Sequence, residues 1–80
     1  MSKEIAAACD GMIHNAARMM IEDGGASIEM VIDRLLTFAA AQAVSLEGSK
    51  RTAEVFRQLA DRIDEGVFAR IEAGVSGPAH

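Results

Sequence analysis

Three segments of the chain repeat apolar residues at three- and four-residue steps. They cover residues 3–21, 28–46 and 52–73. This spacing gathers apolar side chains on one face of an α-helix, so it predicts three helices. Gly24 with Gly25, and Gly48 with Ser49, separate the segments. Glycine readily adopts the backbone conformation that ends a helix. The pattern therefore predicts an all-α protein.

Each predicted helix has an apolar stripe that we expect to be buried. The first stripe consists of Ile5, Cys9, Met12, Ala16 and Met20, with Cys9 as a small core residue. The second consists of Ile28, Val31, Ile32, Leu35, Leu36, Ala39, Ala43 and Leu46. The third consists of Phe56, Leu59, Ala60, Ile63 and Val67. The second stripe is wider than one neighbouring helix would cover, so the second helix should be the most buried.

Several large apolar residues lie outside these stripes and are candidates for an interface. They are Met30, Phe38, Val44, Phe68 and Ile71. Large aromatic residues are common anchors in protein interfaces. Phe68 has two interpretations: it projects from the surface, or a helix break near Gly66 rotates it into the core. Gly66 itself is expected to permit close backbone approach of an alanine-rich neighbour.

The three helix starts share a pattern at a spacing of 25 residues. Ser2, Ser27 and Thr52 are each followed two residues later by glutamate. A hydroxyl at this position caps a free N–H, and the acid meets the positive end of the helix dipole. We therefore predict three N-caps. Three helices of similar length, about 30 Å each, with short loops favour an antiparallel, up-down-up arrangement.

The size of the chain bears on its assembly. Eighty residues form one domain, predicted at residues 1–74, with a flexible tail at 75–80. Half of the residues are hydrophobic, and the single cysteine excludes an internal disulfide. A core this small supplies only about 3–5 kcal/mol of stability by itself. We therefore expect a homodimer that completes a larger helical bundle, most simply through apolar surface of the second and third helices.

Charge and hydropathy indicate which partners and which cellular location to expect. The net charge of −4, from 12 acids and 8 bases, disfavours binding to nucleic acid. A signal peptide has a basic start followed by a long apolar run, and the sequence does not show that pattern. Glu29, Asp33 and Arg34 oppose membrane insertion of the central segment. We expect a soluble, acidic, cytoplasmic protein with no membrane partner.

Residues able to carry chemistry are few. His14 follows Asp10 by one helical turn, which is half of an acid/base pair and two of the three or four ligands that zinc requires. Lys50 and Arg51 precede the predicted third helix and are weak candidates for an anion site. The alternative places them in solvent just outside that helix. The sequence predicts no catalytic, cofactor-binding or metal-binding residue.

The stretch Ser27-Ile28-Glu29-Met30-Val31 resembles the start of the second helix of acyl carrier proteins, which are also small, acidic and helical. The resemblance implies a prosthetic group on Ser27. The sequence departs from that pattern at Ala26, where the family has aspartate, and in its short preceding loop. Ser27 is therefore interpreted here as an N-cap.

Together these features favour a binding protein over an enzyme. We expect a small non-enzymatic, homo-oligomeric module for protein interaction or regulation. One alternative is an accessory protein associated with nucleic acid. Another is a small enzyme or carrier that uses His14 or Ser27.

Overall fold

The computed structural model describes residues 2–75, and that range contains four α-helices. They are α1 (Lys3–Glu22), α2 (Ile28–Glu47), α3 (Ser49–Asp64) and α4 (Ala69–Val75). The predicted all-α class is confirmed, and the first two helices begin and end within one residue of their expected bounds. The predicted tail lies outside the described residues except for Val75. The antiparallel arrangement and the homodimer remain predictions.

The third predicted helix is two helices, so that prediction was wrong. The chain turns between Asp64 and Ala69, and Gly66 has a φ of 98° within the turn. The Val67 N–H donates to the Arg62 carbonyl at 3.1 Å, which closes the turn. A Cβ built on Gly66 meets only the Ala69 Cβ, at 3.9 Å. Gly66 is therefore needed for its backbone conformation, and not for close approach of a neighbour.

Two of the three predicted caps are confirmed. Ser2 Oγ accepts a hydrogen bond from the Ile5 N–H, and Ser27 Oγ accepts one from the Met30 N–H, each at 3.1 Å. Both hydroxyls satisfy a free donor of the first helical turn. Thr52 does not cap α3, because that helix begins three residues earlier, at Ser49.

A single residue joins α2 to α3. Gly48 has φ 86° and ψ 165°, a conformation that is essentially restricted to glycine. Its N–H donates to the Val44 carbonyl at 2.9 Å, and its carbonyl accepts from the Thr52 N–H at 3.1 Å. Gly48 thus completes the hydrogen bonding of both helix ends while it changes the direction of the chain.

The chain divides into two units, Met1–Ala39 and Ala40–His80. Among the described residues of the first unit, Val31 alone is buried, with 1% of its surface exposed. Among those of the second unit, Thr52 alone is buried, with 5% exposed. Units of about 40 residues rarely build a sufficient core without disulfides, metals or association. The small number of buried side chains agrees with that limit.

The predicted stripes are mostly exposed, which corrects the expected core. In α1 the half-buried residues are Ala6, Ala17 and Met20, about a quarter-turn away from the row through Ile5 and Met12. Cys9 is exposed and not a core residue. A helix buries its apolar face only where another segment covers it, and α1 contains no buried residue.

The other helices show the same departure. Of the predicted stripe of α2, Val31 is buried and Leu35 and Ala43 are half-buried, whereas the remaining members are exposed. In the third predicted stripe, Phe56 is half-buried and the rest are exposed. None of the described helices combines the length and apolar character that a membrane crossing requires.

Candidate interaction surfaces

Many large apolar side chains are exposed on the surface of the described residues. Eighteen large apolar residues are exposed there, against one that is buried. In the first unit they are Ile5, Met12, Ile13, Met19, Ile21, Ile28, Met30, Ile32, Leu36 and Phe38. In the second they are Val44, Leu46, Val55, Leu59, Ile63, Val67, Phe68 and Ile71. Contiguous apolar patches, where such residues form them, are typical of proteins that associate.

One exposed row of α2 has the composition of a protein interface. Met30, Arg34 and Phe38 follow one another at four-residue steps, which places them on the same side of the helix. All three are exposed, Phe38 to 65%. Methionine, arginine and aromatic residues are the types enriched at interfaces relative to other protein surfaces. We call these three residues the α2 row.

Neighbouring side chains hold Arg34 in place. Its Nη2 and Nε both lie 3.0 Å from Asp33 Oδ2, and Nη2 also donates to Thr37 Oγ1 at 3.1 Å. An exposed ion pair of this kind adds little to stability. It does orient the guanidinium group and balance its charge. A partner could therefore cover the α2 row without supplying a separate countercharge.

The candidate residues of the second unit are also exposed. Val44 lies on α2, Phe68 in the turn before α4, and Ile71 on α4. The helix break near Gly66 is present, yet Phe68 is 45% exposed and does not enter a core. The first of the two interpretations of Phe68 therefore applies. The role of these three residues in an interface stays a prediction.

Lys50 and Arg51 lie inside the first turn of α3, not before the helix as expected. Both are exposed, and Arg51 Nη1 is 3.5 Å from Glu54 Oε2. The first turn of α3 contains no acidic residue. The two cations therefore lie at the positive end of the helix dipole, and no negative charge within that turn compensates them. Glu54 partly balances Arg51, and an anion site at these residues remains a prediction.

The polar and thiol side chains of α1 that could carry chemistry lie at its surface. Asp10, His14 and Cys9 are all exposed on α1. Across residues 2–75, no group of three or more histidine, cysteine, aspartate or glutamate side chains could hold a metal ion. Ser27 Oγ accepts the capping bond from the Met30 N–H. That contact is the N-cap role expected for Ser27.

An open groove of about 310 Å³ lies at the end of α1. Its lining consists of Asn15, Arg18, Met19, Glu22 and Asp23. Arg18 Nη2 donates to Asn15 Oδ1 at 3.1 Å, so the one cation is already engaged within the groove. Exposed side chains of one helix end build no enclosed site for a small molecule.

Sequence reasoning missed Arg34 as part of a surface. Its four-residue spacing from Met30 and Phe38 is the signal that places it beside them on one side of α2.

Comparisons with protein-family models, curated proteins and solved structures found no significant match to this chain. Its function is therefore inferred from its own residues.

Proposed function

We propose that this protein is a non-enzymatic helical module that acts by binding: copies of the chain associate, and the assembly presents the α2 row to a partner protein. The observation that carries the proposal is the exposure of eighteen large apolar residues in the described part of the chain. Leaving such side chains in water is unfavourable by about 25 cal/mol per Å². Association with another chain would cover them.

The size of the two units supports association in particular. Each unit has one buried side chain among its described residues, Val31 or Thr52. The single cysteine cannot form an internal cross-link. Small units without a cross-link or metal usually gain stability from another chain.

Sedimentation velocity over a range of micromolar concentrations tests self-association. We expect species heavier than the 8.5 kDa chain, with a population that grows with concentration. Circular dichroism on the same samples reports whether the chain is helical. A helical species that stays at the mass of one chain throughout the range would contradict the proposal.

The α2 row is tested separately by partner capture. Wild-type protein, Phe38→Ala and the control Glu29→Gln would each be used to isolate partners from the source cell. Glu29 lies on α2 away from the row and is also exposed. We expect wild type and the control to retain the same protein, and Phe38→Ala to lose it, because interface aromatics often contribute about 2 kcal/mol or more. Equal retention by all three would remove the α2 row from the proposal.

A further inference from the structure

An exposed row on α1 has the spacing of a coiled-coil seam. Ile5, Cys9, Met12, Ala16 and Met19 follow one another at steps of four, three, four and three residues. The average step of 3.5 residues keeps such a row facing a second helix along its whole length. All five residues are exposed, with Met12 reaching 68%. We call them the α1 seam.

From this row we propose that the α1 seam packs against the α1 seam of a second copy, with the two helices antiparallel. The proposal rests on the self-association proposed above and assigns it to a particular helix. The side of α1 that is half-buried within its own unit, at Ala6, Ala17 and Met20, lies about a quarter-turn from the seam. The seam itself is exposed, and a second copy would cover it.

The absence of charge along the seam fits a second copy of the same chain. Two identical surfaces bring like charges together when those surfaces are charged. Between Ile5 and Met20, the seam contains no charged residue, and the positions beside it contain none either. Those flanking positions are Ala6, Ala8, Ile13, Asn15 and Met20. The charged residues of α1 occupy its other faces. Self-pairing thus meets no electrostatic penalty at the contact.

The order of large and small residues sets the orientation. Along the seam, large Ile5, Met12 and Met19 alternate with small Cys9 and Ala16. Parallel helices would place large residues against large ones and small against small, which leaves gaps between crowded layers. Antiparallel helices place each large residue against a small one, which gives layers of even volume. Antiparallel helix dipoles also attract each other.

One register satisfies the seam best. In it Ile5 faces Ala16 of the second copy, and Cys9 faces Met12 of the second copy. The next register along would pair Cys9 with Met19 and would place Ile5 against the Asp23 carboxylate. Burying a carboxylate beside an isoleucine is unfavourable. The first register places Met19 beside the uncharged Ser2 instead.

The available area sets the strength of the contact. An exposed large apolar side chain offers about 60–120 Å², from its transfer free energy and area coefficient. Four such residues lie on the seam or beside it, namely Ile5, Met12, Ile13 and Met19. They provide about 240–480 Å² per chain, which is below the standard size of a specific interface. We therefore expect a reversible dimer that forms at micromolar concentration.

Matched lysine substitutions test the location of the contact. Ala16→Lys places a charge in the seam, and the control Ala7→Lys places the same charge on the opposite face of α1; both alanines are exposed. Lysine forms helices well, so neither change should unfold α1. We expect Ala16→Lys to raise the dimer dissociation constant by about tenfold or more, because a buried unpaired charge is costly. Ala7→Lys should leave it within about threefold of wild type.

Single-cysteine variants test orientation and register. Both carry Cys9→Ala, with Ile5→Cys in one protein and Ala16→Cys in the other. In the proposed register, the two cysteines in a dimer of either protein alone are 11 residues, or about 16 Å, apart along the helices, which is too far for a disulfide. We expect an interchain disulfide when the two proteins are mixed under mild oxidation, and little when either is oxidised alone. The Cys9→Ala protein without a new cysteine serves as the association control.

Each outcome decides the matter. Disulfides confined to the mixture, together with weakening by Ala16→Lys alone, support the antiparallel seam. Efficient disulfides within each separate protein indicate parallel helices and overturn the proposal. If Ala16→Lys leaves the dimer dissociation constant unchanged and the mixed cysteine variants form no disulfide, the proposed seam is overturned. Self-association would still stand. A helical monomer at every concentration would refute both.

Discussion

The hydroxyl of Thr52 is buried without a hydrogen-bond partner among the described residues, and replacing it should stabilise the protein. Thr52 is 5% exposed, and its Oγ1 is the one buried side-chain oxygen or nitrogen atom in the described range that lacks a partner. A buried unsatisfied polar group costs about 1–3 kcal/mol. Thr52→Val replaces that oxygen with a methyl group of nearly the same volume and leaves the backbone bond to Gly48 in place.

The expected gain is about 1 kcal/mol of unfolding free energy, since valine and threonine have similar helix propensities. For a domain of this size, that gain raises the melting temperature by about 4–8 °C. Thermal unfolding monitored by circular dichroism measures the melting temperature. The protein concentration must be the same for all variants, because association also shifts the melting temperature.

The only other threonine provides the control. Thr37 is exposed, and its Oγ1 accepts a hydrogen bond from Arg34. Thr37→Val should change stability by no more than about 0.5 kcal/mol, as is usual for surface positions. Thr52→Ala should destabilise the protein, because it removes the methyl group as well and leaves a cavity. A melting temperature that falls in Thr52→Val would refute the reasoning.

Substitutions at three further positions test local features of the fold, each by the same unfolding measurement. Gly48→Ala should destabilise by about 1–3 kcal/mol, because φ 86° with ψ 165° is strained for any side chain; a neutral result would contradict the conformation of this connection. Gly11→Ala should stabilise by about 0.5–1 kcal/mol, because Gly11 lies inside α1 and a Cβ there meets nothing within 4 Å. Ser27→Ala should cost about 1 kcal/mol through loss of the cap of α2, whereas Ser27→Asp should retain most of it. If Ser27→Asp were as unstable as Ser27→Ala, the hydroxyl would be acting otherwise than as a cap.

The surface residues were only partly predictable. Met30, Phe38 and Val44 lie off the main stripe of α2 by helical spacing alone, and all are exposed in the structure. Local spacing could not show that most of the stripe itself is exposed too. Whether an apolar face is covered depends on which segments pack against it, and periodicity contains no information on that.

Sequence alone determined the helical class, the bounds of α1 and α2, and the caps at Ser2 and Ser27, because short-range hydrogen bonding and side-chain spacing control all of these. The structure decided what happens after Glu47. There Gly48 joins two helices directly, Thr52 becomes buried instead of capping, and the chain turns again at Gly66. The sequence already marks Gly48 as a helix boundary, but it does not show that the chain turns at Gly66, since glycine permits a turn without requiring one. In α1, the row from Ile5 to Ala16 was visible as a pattern, but its exposure became known only from the fold.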